Sequence, residues 1–121
     1  MKVYVYRNLH KNCFSIKALQ GPMKGRVIGH ADEVHLTDVE FRVSEKGRQR
    51  VLREKKKYVH AGVVGSIASP YDAPTDDTVP VRYNPYETET FVLAKSNEPI
   101  YCAAYAKLTN NRIFIHQGDV Q

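Results

Sequence analysis

The sequence predicts an α+β domain. It is mostly antiparallel β, a curled sheet or small barrel, with one short basic helix inserted near residues 45–57. Three observations predict this. Apolar residues alternate with a period of two along most of the chain, which is the strand pattern. One stretch, Arg42 to Lys57, replaces that pattern with a run of good helix formers. Short clusters of Gly, Pro, Asn and Asp punctuate the rest, each able to turn the chain. At 121 residues the chain makes a single domain, 1–121, with one modest core.

The first strand holds Val3 and Val5 on one face and Tyr4 and Tyr6 on the other. A turn around His10 to Asn12 leads into Phe14, Ile16 and Ala18. Gln20 to Gly25 is a loop with turn chemistry at both ends. A long extended stretch follows from Arg26 to Val43. Its apolar positions are even at Val34 and Leu36, then odd at Val39, Phe41 and Val43. A strand cannot change phase without moving its core face into solvent, so a bulge or tight turn belongs at Thr37-Asp38.

Ser44 is placed to cap the basic helix, and Glu45 suits the positive end of its dipole. Gly47 weakens the first turn. Val51 and Leu52 are thin apolar content, so the helix should lie half exposed on a sheet. Val59, Ala61, Val63 and Ile67 share one phase in the next strand. Ser69 to Asp77 is a polar, acidic loop. Val79 and Val81 begin another strand, where Pro80 implies an edge position. Phe91 to Ala94 and Ile100 to Leu108 are further strands. Asn110-Asn111 forms a hairpin turn into Ile113 to Ile115, because Asn tolerates positive φ. The expectation is seven to nine strands and one helix.

No apolar run approaches the ~20 residues that a membrane helix needs. The N-terminus reads as a strand and not as a signal peptide, so a cytosolic protein without membrane partners is expected. Cys13 and Cys102 lie far apart, form no C-x-x-C, and read as reduced, half-buried thiols. The five histidines form no H-x-x-x-H or H-E-x-x-H, so no metal site is expected. P-loop, G-x-S-x-G, G-x-G-x-x-G and RRM signatures are absent, and no helix-turn-helix pair is visible. Binding is therefore favoured over catalysis, and no cofactor is expected.

Charge gives the clearest functional signal. Arg42 to Lys57 holds eight of the 18 Lys and Arg but two of the 13 acids, a net +6 against +5 for the whole chain. Clustered charge of this kind attracts phosphates and other anions. Lys46, Arg50, Arg53 and Lys57, spaced 4, 3 and 4, fall in one helical stripe and form a candidate phosphate-binding face. The competing reading is a solvated face that serves solubility. Arg82-Tyr83-Asn84-Pro85-Tyr86, with His60 as a further pocket residue, is a candidate base-stacking and hydrogen-bonding surface. Its competing reading is a rigid turn whose tyrosines cover the core edge. Arg7 to His10 is a similar polar tip. His30 and His60 each sit beside Gly and Ala. Convergent and near arginines, they could cleave a phosphodiester by acid–base chemistry, though structural roles are favoured.

Val5 to His10, Gly25 to Ala31, Phe41 to Val43, Gly47 to Glu54, Val59 to Ala61 and Tyr83 to Tyr86 with Phe91-Val92 resemble small proteins encoded by bacteriophages and prophages. The resemblance spans residues 3 to 106 and carries no assigned activity. It implies a phage or prophage origin, hence the cytoplasm of an infected bacterial host, and by analogy a role against host defence.

The first expectation is thus a non-enzymatic homo-oligomer that sequesters a nucleotide or cyclic nucleotide immune signal. Arg50, Arg53 and Lys57 would hold phosphates, Tyr83 or Tyr86 would stack on a base, and Asn84 would read its edge. The alternatives are a nucleic-acid-binding module or inhibitor docked on a host nucleoprotein defence complex, a small phosphodiesterase or nuclease using His30 and His60, and an assembly protein.

Overall fold

In the computed structural model, which describes residues 1–69 and 77–116, the alternating segments become nine strands. They are β1 (Lys2–Asn8), β2 (Cys13–Ala18), β3 (Val27–Ala31), β4 (Glu33–Val43), β5 (Ala61–Ile67), β6 (Thr78–Arg82), β7 (Val92–Leu93), β8 (Cys102–Thr109) and β9 (Arg112–His116). The one helix, α1 (Glu45–Glu54), lies between β4 and β5. All strands pair antiparallel in one sheet of order β3-β2-β1-β5-β4-β8-β9-β6-β7. The sheet is curled and open, with β3 and β7 as its two edges. The curl brings the β1–β2 turn to the β8–β9 turn, where Asn111 Nδ2 donates to Asn12 Oδ1 at 2.9 Å.

Local chemistry explains the turns. Asn110 and Asn111 both take positive φ, 50° and 62°, as a tight two-residue hairpin requires. Asp38 sits at φ 52° and pairs with neither neighbour, while the β4–β5 register shifts between Thr37 and Glu40. This bulge turns Val34 and Leu36, then Val39 and Phe41, toward the same core. The extended stretch from Arg26 is two strands broken at Asp32, which places His30 and His35 on different strands. Pro80 lies one strand in from the edge. Its carbonyl accepts from Ala94 N–H at 3.1 Å, so its missing N–H faces the outer side, where the two-residue β7 pairs only Val81 and Arg82.

The core gathers residues from seven of the strands: Val3 and Val5, Leu36, Val63, Leu108 and Ile115 are fully enclosed. Two expectations change here. Val59 precedes β5 and Ile67 ends it, and both are about half exposed (48% and 49%). Burial along β5 is continuous from Gly62 to Gly65, with Gly62 against the Tyr4 ring and Gly65 against Leu36 and Val39. Cys13 is half-buried and free, but Cys102 is free and exposed. Most of the acidic loop expected at 69–77 lies outside the described residues. No helix among the described residues is long and apolar enough to cross a membrane.

Helix α1 is an excursion between two paired strands. Val43 pairs with Ala61, and Ser44 N–H donates to the His60 carbonyl at 2.7 Å, closing the base of the excursion. Ser44 Oγ then caps the helix by accepting from Gly47 N–H at 3.2 Å. Gly47 is required for a second reason. A Cβ there would stand 2.5 Å from His60 Cβ, so the glycine lets the first turn rest on that histidine. The helix ends at Glu54, three residues short of the expected Lys57, because Lys55 adopts φ 55° and closes the last turn through its N–H to the Val51 carbonyl. Val51 is the buried contact.

Arg48 fastens the helix to the rest of the domain. Its side chain is only 12% exposed. Nε donates to the carbonyls of Pro85 and Thr88, both at 3.1 Å, and Nη1 reaches Glu45 at 3.1 Å. Arg48→Met should cost about 2 kcal/mol, because it strands two carbonyls in a part-buried place. Chemical denaturation would read this as a lower midpoint with an unchanged slope.

Candidate functional site

Between the helix C-terminus, the 83–86 turn and the two meeting hairpin tips lies a cleft of about 740 Å³. Its floor is core: Val5, Phe14, Val63 and Phe91. Its walls are basic and aromatic. Five cations line it, Arg7, Lys55, Lys57, Arg82 and Arg112, and no Asp or Glu does so among the described residues. Arg82 is paired with Glu87 at 2.6 Å. The other four have no carboxylate partner among the described residues. Unneutralised charge over an apolar floor focuses positive potential in the cleft.

The 83–86 wall is rigid. Asn84 Oδ1 accepts from Tyr86 N–H at 2.9 Å, and the Asn84 carbonyl accepts from the N–H groups of Glu87 and Thr88. Arg48 holds the same turn from behind. Tyr83 packs on Phe91, ring centroids 5.1 Å apart, and Phe91 packs on Phe41 at 5.2 Å. The Tyr83 hydroxyl meets His60 Nε2 at 2.6 Å, while His60 Nδ1 lies 2.8 Å from the Tyr58 carbonyl. Tyr86 is the exposed ring, at 59%.

Burial pushes the Tyr83 phenol up to about 12. The unfolded phenol ionises near 10. Its contribution to stability is therefore whole below about pH 10 and is lost as pH rises toward 12. Burial also raises the Tyr4 and Tyr105 phenols, so ultraviolet titration should show several late-ionising tyrosines, and Tyr83→Phe should remove one of them.

The residues singled out from sequence divide into two groups. Arg82, Tyr83, Asn84, Tyr86 and His60 all line the cleft. Of the expected phosphate stripe, only Lys57 does, and it does so from the segment after the helix. Lys46, Arg50 and Arg53 stay on the exposed outer face of α1. Arg50 is engaged there: it donates to Glu54 at 2.8 Å, and its guanidinium lies 4.0 Å over the Tyr58 ring. Tyr58 also donates to Glu54, so the three groups satisfy one another. The hydrogen bond from Arg50 holds the Glu54 carboxyl below its usual range. His30 is outside the cleft lining and lies 3.0 Å from Ser15 Oγ, a buried hydroxyl that also accepts from Asn8.

Sequence reasoning missed Lys55 and Arg112 and gave Arg7 little weight. Only the curl brings Arg7 and Arg112 together. Lys55 carried no sequence signal: it is a lysine in the left-handed position that glycine usually marks, and it is strained there relative to glycine. Lys55→Gly should raise stability by up to about 1 kcal/mol and weaken anion binding together, an exchange of stability for charge at a site. Thermal melts and an anion titration on the same variant would check both signs.

Among the described residues no three His, Cys, Asp or Glu side chains cluster to hold a metal ion. The fold and cleft define a small curled-sheet protein with a basic, tyrosine-lined pocket at the end of α1. Residues 1–116 match the family model described as Mycobacterium phage L5 gene 82 protein, and the chain belongs to that family. It is 38% identical over 121 residues to the gene 82 protein of Mycobacterium phage L5, covering 93% of this chain and 94% of that protein. No solved structure matches the chain.

Proposed function

We propose that this is a phage-encoded, non-enzymatic binding protein that captures a phosphorylated ligand in the cleft. The ligand class is a nucleotide or cyclic nucleotide that the bacterial host uses as an immune signal, and the protein acts in the cytoplasm of the infected cell. The observation that carries the reading is the cleft's lining: five cations, no carboxylate among the described residues, and tyrosines beside an apolar floor. Arginine and lysine suit phosphate oxygens, and an exposed ring such as Tyr86 can stack on a base. Membership of a phage family supports the setting. The phosphate-holding residues in this reading are Lys57, Lys55, Arg7 and Arg112, in place of the outer helix stripe.

Calorimetric titration at two salt concentrations tests it, with 5′-mononucleotides, cyclic mononucleotides, cyclic dinucleotides and a single-stranded oligonucleotide. Saturable binding of one nucleotide class at fixed stoichiometry, with the ligand recovered unchanged, is the expected result. Steeply salt-dependent binding to any oligonucleotide with no nucleotide selectivity would instead indicate a nucleic-acid module. Turnover of the nucleotide, lost in His60→Ala, would indicate a phosphodiesterase.

A further inference from the structure

We infer that the cleft reads a nucleobase N–H group, with the Tyr83 hydroxyl oxygen as the acceptor and the Asn84 amide as the neighbouring donor. The inference rests on the cleft being the ligand site proposed above. It follows from accounting for each hydrogen in the wall. His60 Nδ1 is 2.8 Å from the Tyr58 carbonyl. A carbonyl only accepts, so Nδ1 carries the ring hydrogen. In the neutral ring Nε2 is then bare and can only accept. Its partner at 2.6 Å, the Tyr83 hydroxyl, must donate to it. With its one hydrogen committed, Tyr83 has only lone pairs left to offer. Tyr83 and His60 both line the cleft, so this hydrogen bond lies in its wall.

Asn84 supplies the complementary group. Its Oδ1 is held by Tyr86 N–H at 2.9 Å, which fixes the amide with Nδ2 as a donor. The wall thus presents an acceptor and a donor on consecutive residues. A phosphate presents acceptors only and matches half of it. A nucleobase edge, which sets an N–H beside a ring nitrogen or carbonyl oxygen, matches both. The packing of Tyr83 on Phe91 and of Phe91 on Phe41 keeps the hydroxyl from moving away.

The test compares wild type with Tyr83→Phe, which keeps the ring and removes the oxygen. The probes are the four common ribonucleotides, as 5′-monophosphates and 3′,5′-cyclic forms, and inorganic pyrophosphate as a phosphate ligand without a base. The expected result is a loss of about tenfold for the best-bound nucleotide, with pyrophosphate affinity unchanged within about twofold. Equal losses for both probes would mean a packing effect and overturn the inference, as would an unchanged nucleotide affinity. Wild type that binds pyrophosphate but no nucleotide would overturn the base-reading role and leave an anion site. Wild type that binds neither would overturn the inference, and the proposed function with it if the cyclic dinucleotides also fail to bind. A purine-riboside nucleotide, which lacks the adenine amino group, gives a second measure. If adenine is the preferred base, wild type should discriminate against it and Tyr83→Phe should not.

Discussion

Gly62→Ala is expected to lower the unfolding free energy by about 3 kcal/mol, the upper end of overpacking costs. An alanine Cβ at this position would stand 2.6 Å from the Val5 carbonyl oxygen and 2.6 Å from Tyr4 Cζ. The tyrosine ring could swing aside, but the carbonyl cannot. It belongs to β1 where Val5 pairs with Val63, in the middle of the sheet. Relief requires β1 and β5 to separate, which opens the core at Val3, Val5 and Val63, all fully buried. Tyr4 covers the glycine as a large ring covers a gap in a strand. Equilibrium denaturation compared with Gly29→Ala provides the check, since a Cβ at Gly29 meets nothing within 4 Å. Gly29→Ala should stay within about 0.5 kcal/mol of wild type.

The second large effect concerns binding. Lys57→Glu combined with Arg112→Glu should reduce affinity for the phosphorylated ligand by at least about 100-fold. Two attractive contacts become two repulsive ones inside a cleft that has no acid of its own among the described residues. Both side chains are exposed and neither has a carboxylate partner among the described residues, so the melting temperature should hardly move. The control is Lys46→Glu with Arg53→Glu, the same charge change on the outer face of α1. It should weaken binding only through long-range attraction, an effect that added salt removes. If the control variant loses as much as the cleft variant, the cleft is not the specific holder of the ligand.

Much of the fold was legible because its signals are local. The phase change across Thr37-Asp38 required a bulge, and Asp38 supplies it. Asn110-Asn111 specified a turn that only residues tolerant of positive φ can make, and Ser44 marked the start of the helix. The helix's end was hidden, because a lysine takes the left-handed capping position that glycine usually marks. That single residue moves Lys57 off the helical stripe and into the cleft. Nothing local marks the partners of Arg48, which are two backbone carbonyls nearly forty residues away.

The candidate site was legible in proportion to its locality. Arg82 to Tyr86 is one turn, and its residues stay together in space. Arg7 and Arg112 line one cleft only because the sheet curls, and the hydrogen bond between Asn12 and Asn111 crosses 99 residues of chain. Spacing in sequence carries no trace of such a contact. Val59 and Ile67 were misread because they lie before and at the end of β5, while the burial runs unbroken from Gly62 to Gly65 and does not follow a two-residue alternation.

The most direct test of the central claim is native mass spectrometry of wild type and the Lys57→Glu/Arg112→Glu variant, each purified gently from a bacterial host whose nucleotide-based defence is active. The account predicts that wild type carries a bound mass of a few hundred daltons at fixed stoichiometry, which nucleases leave in place and denaturation releases intact, and that the variant carries none. Wild type and variant with the same apo mass from that host, or the same bound mass in both, would contradict it.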